Sequence, residues 1–295
     1  IDFLLDIFKE SPGKDAIIWK DQTYSYAWLL ERVGFWKAEI ERRSINTGSV
    51  VSVEADFSPN AVALLLSLME KECVLVPLTS SVEMHKERFL EIACVDHRIC
   101  ISSEDEEAFI PREPEGDHPL LATLRERKHP GLILFSSGST GEPKAAVHDL
   151  VPMLEKFKVR RGSKRMLSFL LFDHIGGFNT LLHILSNGGC VVTVQDRSPD
   201  AVLKAVEKHR VEILPTSPSF LTMLLLSEAY TRYDLSSLER ITYGTEVMPE
   251  STLKAIHKAL PGITLQQTYG LSELGILRSK SRSADSLWVK IGGEG

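Results

Sequence analysis

Short apolar runs alternate with amphipathic, helix-like segments along almost the whole chain. Runs rich in branched or aromatic residues predict strands at 50–55, 74–78, 99–102, 132–135, 166–171, 191–194 and 212–214, and more weakly at 241–243 and 264–267. Apolar positions three and four residues apart predict helices near 199–209, 218–227 and 249–260. Strands that alternate with helices are typical of an α/β fold with mainly parallel sheets.

One further helix has a clear start signal. Ser58 is a good N-cap, and Pro59 at the first helical position loses no hydrogen bond, because that N–H would have no helical partner. The pattern therefore predicts a helix from Pro59 to about Lys71, directly before the strand at 74–78.

Two charged segments interrupt the alternation. Residues 103–118 hold seven acidic residues and two prolines, which favours a solvated surface loop. The basic turn at 156–165 separates two runs of strands, so we predict a boundary near Gly162. This gives a first α/β subdomain over 1–162 and a second over 163–295, and leaves open whether residues 1–45 pack on the second.

Composition narrows the class of protein. The 295 residues carry 34 Lys and Arg against 40 Asp and Glu, a net charge of −6, and 43% are hydrophobic. These values exclude disordered, collagen-like and coiled-coil classes, and they argue against a nucleic-acid binder, which would show a basic excess. The length is enough for one large domain or two closely packed ones.

The sequence offers no membrane anchor and no disulfide framework. The longest apolar stretch, at 61–69, is less than half of the ~20 residues that a bilayer requires. The cysteines Cys73, Cys94, Cys100 and Cys190 lie in or beside apolar runs and form no CxxC pair. We therefore expect buried free thiols and a cytoplasmic enzyme.

The segment SSGSTGEPK at 136–144 carries the most information about function. It follows the predicted strand LILF, its glycines allow close approach to anionic oxygens, and its hydroxyls and Lys144 can donate to phosphate. It is not a Walker A loop, because Pro143 precedes the lysine and Ala145 follows it. The alternative is a Ser/Gly-rich turn between two strands.

A second segment, TYGLSE at 268–273, has complementary chemistry. Tyr269 offers a face for adenine, and Gly270 permits a tight turn beside a ligand. Ser272 offers a hydroxyl for an α-phosphate, and Glu273 offers a hard oxygen ligand suited to Mg²⁺. The alternative is a capped turn with a surface glutamate.

Together, in this order, the two motifs resemble the adenylate-forming superfamily of acyl- and aryl-CoA synthetases, peptide-synthetase adenylation domains and luciferases. The segment FDHIGGF at 172–178 is similar to the family's carboxylate-pocket segment, which His174 would line. Asp173 has an alternative role as anchor for a substrate amine, or as a turn residue. YGTEVMP at 243–249 matches the family's adenine- and acyl-lining segment, with Thr245 in place of a small residue.

The resemblance implies a layered αβαβα fold and a set of site residues. It implies that Lys144, Ser272 and His174 are catalytic and that Glu273 is a ligand of Mg²⁺. The implied nucleotide-binding residues are Ser136, Ser137, Gly138, Ser139, Thr140, Gly141, Lys144, Gly244, Thr245, Glu246, Thr268, Tyr269, Gly270, Ser272 and Glu273. The first subdomain would carry the phosphate loop, and the second the acyl pocket and the adenine motif.

The implied reaction is ATP-dependent conversion of a carboxylic acid, fatty or aryl, to an acyl-adenylate. Transfer to a thiol, either CoA or a carrier-protein phosphopantetheine, would follow. The alternatives are a non-catalytic nucleotide-binding module of the same fold and an amino-acid-activating adenylation domain. A phosphotransferase is disfavoured because the Walker A pattern is missing.

The family's later motifs lie beyond this sequence. Its ribose-binding Asp, hinge, C-terminal β-barrel part and small C-terminal domain with a catalytic Lys would all follow the TYGLSE motif, and only 22 residues remain after Glu273. The chain also starts at Ile1 and ends in KIGGEG. We therefore expect a fragment of a longer ligase that binds nucleotide but turns over poorly.

Overall fold

The computed structural model describes residues 1–112, 116–137, 143–277, 279–283 and 286–292. Its α-helices are α1 Asp2–Glu10, α2 Tyr26–Arg42, α3 Pro59–Glu70, α4 Lys86–Ile92, α5 Pro119–Arg127, α6 Leu150–Leu154, α7 Ile175–Ser186, α8 Pro199–His209, α9 Pro218–Ser227 and α10 Glu250–Ala259. Its strands are β1 Asp15–Trp19, β2 Gln22–Ser25, β3 Val50–Glu54, β4 Val74–Leu78, β5 His97–Ile101, β6 Glu107–Ile110, β7 Gly131–Ser137, β8 Pro143–Asp149, β9 Arg165–Leu167, β10 Cys190–Val192, β11 Ile213–Thr216, β12 Arg240–Tyr243, β13 Thr264–Gln267, β14 Tyr269–Leu271, β15 Gly275–Leu277, β16 Ser279–Ser281 and β17 Val289–Ile291.

The chain divides into two compact units, each with its own sheet. The first unit comprises Ile1–Ala16, Thr23–Arg161 and Leu171–His174, and the second comprises Ile17–Gln22, Gly162–Leu170 and Ile175–Gly295. The predicted α/β class with mainly parallel sheets is confirmed. No helix within the described ranges is long and apolar enough to cross a membrane.

The sheet of the first unit has the strand order β6-β5-β3-β4-β7-β8. Its inner strands β5, β3, β4 and β7 are parallel, and the outer strands β6 and β8 are antiparallel to their neighbours. β3 and β4 are buried along their whole length, which explains why they appear as continuous apolar runs. The N-cap that was predicted for α3 is present, because the Ser58 hydroxyl accepts from the Ala61 N–H at 3.1 Å.

In the second unit, parallel strands follow one another in the order β13-β12-β11-β9-β10-β1. Thr216, Tyr243 and Gln267 are register partners at the carboxyl ends of β11, β12 and β13. Because these strands are parallel, the segments that follow them start from one edge of the sheet. Two segments with predicted functions, 243–249 and 268–273, start there.

Two sequence predictions are wrong in part. The strand that was predicted over 166–171 ends at Leu167, because the Phe169 N–H turns back to the Leu167 carbonyl at 3.1 Å. The predicted surface loop 103–118 contains strand β6, which pairs with β5 through partners such as Ile99 and Phe109. The high density of acidic residues concealed this short alternating strand.

A polar network joins α2 and α3 to the turn before β6. The Asn60 Oδ1 accepts from Arg32 Nε and from Trp36 Nε1, both at 2.7 Å. Its amide nitrogen donates to the Asp105 carbonyl at 2.9 Å and to the Glu107 carboxylate at 3.1 Å. Asn60 and Trp36 are buried, so the loss of any of these hydrogen bonds would leave a polar group with neither a protein partner nor water.

We expect Asn60→Ala to lower the free energy of unfolding by about 2–3 kcal/mol, because the buried Trp36 N–H would lose its acceptor. Urea denaturation followed by tryptophan fluorescence measures the change. Asn46→Ala is the matched control, since Asn46 is exposed, and it should unfold like the parent protein. Equal stability of the two variants would contradict a stabilising role for the network.

Candidate functional site

The phosphate-loop candidate connects β7 to β8 in the first unit. Ser136 pairs with Lys144 and Ser137 with Pro143 across this antiparallel hairpin. Before the loop, Phe135 stacks on Phe89 with ring centroids 4.0 Å apart, which anchors the end of β7. The side chain of Lys144 is exposed and available to an anion. Gly138, Ser139, Thr140 and Gly141 lie outside the described residues.

The loop shares an edge of the first sheet with the end of β4. β4 and β7 are parallel, with Val74 paired to Gly131, so their carboxyl ends reach the same edge. Thr79 directly follows β4 at this edge and is buried. Ligands of open α/β sheets bind outside the carboxyl ends of the strands, so this is where a nucleotide phosphate would be expected.

The segment Phe172–Asp173–His174 also belongs to the first unit. The ring of Phe172 is fully buried and meets that of Phe57 edge-on, with centroids 4.9 Å apart. The Asp173 carboxylate is buried, and its Oδ2 accepts from the N–H and the hydroxyl of Thr79 and from the hydroxyl of Ser81. In contrast, the His174 side chain is 60% exposed. The buried neighbours thus present His174 outward.

In the second unit, the ends of β12 and β13 approach each other closely. The Thr268 N–H donates to the Tyr243 carbonyl at 2.8 Å, and the Thr268 hydroxyl donates to the same oxygen at 3.1 Å. A Cβ on Gly244 would lie 2.5 Å from the Thr268 hydroxyl oxygen. Only glycine fits this position, which explains the Tyr-Gly pair at 243–244 in terms of packing.

The next two residues form an exposed loop. Thr245 has φ +72°, in the left-handed region that a β-branched side chain rarely adopts. The Glu246 carboxylate accepts a hydrogen bond from the hydroxyl of Ser219, near the start of α9. Thr245, which stands where the resembled family has a small residue, therefore occupies a strained backbone position.

The TYGLSE segment is a short hairpin. β14 pairs antiparallel with β15, and Ser272 and Glu273 lie in the turn between them. A Cβ on Gly270 would lie 2.5 Å from the Ile276 Cδ1 and 2.9 Å from the Gly275 carbonyl. The glycine is thus required by the opposite strand. Tyr269 is 39% exposed and Glu273 is exposed, so a ligand can reach both side chains.

The donor set suits a magnesium ion that is held mainly by phosphate oxygens. Among the described residues, no three His, Cys, Asp or Glu side chains form a group that could hold a metal by themselves. Mg²⁺ keeps several waters and takes one or two carboxylates plus substrate phosphates. A single exposed carboxylate such as Glu273 fits this requirement.

Sequence reasoning missed the partners of the Asp173 carboxylate and of the Glu246 carboxylate. Thr79 and Ser81 belong to a run of hydroxyl residues, TSS, directly after the apolar strand β4. Hydroxyls that follow a buried parallel strand are a usable signal, because this is where polar site residues collect. The sequence contains no comparable signal for the pairing of Ser219 with Glu246.

A comparison with protein families agrees with this arrangement of motifs. The family model described as "AMP-binding enzyme" matches residues 79–292, which is most of the chain. The chain belongs to this family. The match begins at Thr79, includes the phosphate loop and the FDHIGGF segment, and extends past the TYGLSE hairpin.

A curated relative and two solved structures are similar to this chain over most of its length. The indoleacetate–CoA ligase of Aromatoleum aromaticum is 26% identical over 93% of this chain, which spans 60% of that relative's length. The N-terminal subdomain of Klebsiella oxytoca NpsA, solved with 3-hydroxyanthranilyl-AMSN, has a TM-score of 0.78 at 17% identity, with 98% of this chain and 74% of that one covered. The fused NpsA-ThdA adenylation–PCP di-domain from the same organism has a TM-score of 0.78 at 18% identity. The match covers 97% of this chain and 60% of that one. These two structures show a shared fold.

Proposed function

We propose that the protein activates a carboxylic acid by attack of its carboxylate on the α-phosphorus of ATP, which yields an acyl-adenylate and pyrophosphate. One observation carries this proposal: both nucleotide motifs start from the carboxyl edge of the parallel sheet in their own unit. The family membership and the CoA-ligase name of a relative support the same reaction.

In the first unit, the β7–β8 hairpin would hold the β- and γ-phosphates. Ser136 and Lys144 are paired residues of the hairpin, so a hydroxyl donor and a point charge lie at its loop end. Ser139 and Thr140 would add hydroxyl donors from within the loop. Holding the pyrophosphate portion before and during its departure is positioning plus charge neutralisation.

In the second unit, the turn residues would bind the nucleoside. Tyr269 would stack on adenine, Gly244 and Thr268 would border the base, and Ser272 would donate to the α-phosphate. Thr245 and Glu246 would line the same segment. A magnesium ion, held by the Glu273 carboxylate, would supply positive charge to the phosphate oxygens during departure of the pyrophosphate.

His174 would line the pocket for the acid. The substrate carboxylate is already ionised near neutral pH, so no general base is needed to generate the nucleophile. An exposed imidazole beside the carboxyl edge of the sheet can instead border the acid and limit its orientations for attack.

The acyl acceptor would be a thiol, of CoA or of a carrier-protein phosphopantetheine. The relative from Aromatoleum is a CoA ligase, and the Klebsiella di-domain joins an adenylation domain to a PCP. A screen of carboxylic acids by pyrophosphate release, on the full-length protein, tests the proposal. Release that depends on an acid, with AMP as the second product, is expected; γ-phosphate transfer or no release with any acid would contradict it.

We expect the 295 residues alone to bind ATP·Mg²⁺ weakly and to catalyse little acid-dependent ATP–pyrophosphate exchange. The reason is that none of the site residues predicted above takes the roles of the family's ribose-binding Asp and catalytic Lys. Isothermal calorimetry measures the binding, and radiolabel exchange measures turnover. CTP is the control ligand, because it carries the same phosphates without the purine. Rapid exchange, or folded protein that binds no ATP, would contradict this expectation.

A further inference from the structure

We propose that Asp173 is a positioning residue for the His174 imidazole rather than an anchor for a substrate amine. The inference rests on the proposed function, because it deepens the account of the acid pocket. Its evidence comes entirely from the first unit, which contains Asp173, His174 and the residues that hold them.

The first argument is that one carboxylate oxygen of Asp173 is already fully engaged. Oδ2 accepts from the Thr79 N–H at 3.2 Å, from the Thr79 hydroxyl at 2.5 Å and from the Ser81 hydroxyl at 3.3 Å. Only 5% of the residue is exposed. Three donors from the turn after β4 fix both the position and the rotation of this carboxylate.

The second argument concerns the other oxygen, Oδ1. It is buried and has no hydrogen-bond partner among the described residues. The Nε2 of His174 lies 3.8 Å away, which is too long for a hydrogen bond but within the range of an electrostatic contact with the carboxylate. Oδ1 therefore favours orientations of the His174 ring in which Nε2 is turned inward.

The third argument is that the backbone on both sides is held in place. The buried ring of Phe172 packs against Phe57, and the His174 N–H donates to the Leu171 carbonyl at 3.2 Å. The imidazole is the exposed part of this segment, with 60% of its side chain accessible. A fixed carboxylate beside an exposed imidazole restricts the orientations of the ring.

The consequence for the substrate is specific. The Oδ2 of this carboxylate holds the turn after β4, and its Oδ1 is buried beside a histidine, so neither oxygen is open to an ammonium group. Acids without an α-amino group should therefore be accepted, and the Asp173 charge should act on the reaction only through His174.

A double-mutant cycle on the full-length protein tests this inference, with acid-dependent pyrophosphate release as the assay. We expect Asp173→Asn to raise the KM for the acid about tenfold while kcat and the KM for ATP change less than about twofold. In a His174→Ala background, Asp173→Asn should have an effect below about twofold, because residues that act through one another are not additive. Thr79→Val should resemble Asp173→Asn, and Thr79→Ser should restore the parent KM.

Asp196→Asn is the matched control, because Asp196 also accepts from a serine hydroxyl and from an N–H, both of Ser198, but lies in the second unit. It should leave the KM for the acid unchanged. Two results would overturn the inference. One is a rise of about tenfold in the KM for the acid on Asp173→Asn that persists in the His174→Ala background. The other is a rise in KM that occurs only with α-amino acid substrates. If no acid supports pyrophosphate release, the proposed function fails. A crystal structure of Asp173→Asn then still tests the positioning role. A His174 ring turned away from residue 173 supports that role, and an unchanged ring overturns it.

Discussion

Lys144→Ala is expected to lower kcat/KM for acid-dependent pyrophosphate release by about 100-fold or more, the loss typical of removing one preorganised charge partner of a transferring group. Lys144 lies opposite Ser136 at the loop end of the β7–β8 hairpin, with its side chain exposed. Its point charge would therefore be directed at the phosphates and would contribute little to folding. Pyrophosphate release by the full-length protein is the measurement.

Lys158→Ala is the matched control for Lys144→Ala. Lys158 is also an exposed lysine of the first unit, paired with Glu155 at 2.5 Å. It should retain the parent rate, and both variants should show the parent melting temperature. A Lys144→Ala enzyme with normal kcat/KM would remove this residue from the proposed phosphate site.

Arg98→Met is expected to lower the free energy of unfolding by about 3 kcal/mol, at the lower end of the cost of breaking a buried ion pair. The Arg98 guanidinium contacts both oxygens of the buried Glu54 carboxylate, at 2.8 and 3.1 Å. Removing it leaves that charge with Lys86, whose Nζ lies 3.3 Å from the carboxylate, so the loss is only partly offset. Denaturant unfolding measures the change.

The same pair predicts a pH dependence. Burial by itself raises the pKa of Glu54, but hydrogen bonds and charge from Arg98 outweigh burial, so the pKa lies below its ordinary value. A lowered pKa contributes stability above the ordinary carboxylate range, and this contribution is lost as the pH falls through the pKa of the folded state. Parent and Arg98→Met stabilities should therefore converge below about pH 4.

Arg42→Met is the control for the buried pair. Arg42 contacts both oxygens of Glu39 in the same way, at 3.0 and 2.6 Å, but on the surface of α2. Solvent screens such pairs, so the variant should unfold almost like the parent. If Arg42→Met and Arg98→Met lose equal stability, burial is not the reason for the effect.

Local patterns were sufficient where an element carries its own signals. β4 and β13 have the bounds that their apolar runs predicted, and α8 and α9 begin at the Ser-Pro pairs that cap them. Prediction failed where a distant partner decided the outcome. β6 exists because β5 offers it a hydrogen-bonding edge, and β9 ends early because the chain turns back at Phe169.

The site shows the same contrast between local and distant causes. The order of the phosphate loop, the FDHIGGF segment and the TYGLSE segment already indicated the AMP-binding family, since their residue types suit phosphate, carboxylate and adenine. The glycines of the segments at 243–249 and 268–273 have their reasons in residues that pack against them: Gly244 is required by Thr268, and Gly270 by Gly275 and Ile276. No spacing in the sequence reveals such approaches.

The sequence by itself determined the α/β class and most of the strands and helices, and it predicted the chemistry of the candidate site, because periodicity, caps and motif order are local properties. Only the tertiary structure decided what the Asp173 carboxylate does. Thr79 and Ser81 are more than 90 residues away in the chain, and parallel pairing brings the end of β4 to the edge where Asp173 lies. Hydrogen bonds across such a separation depend on the packed sheet.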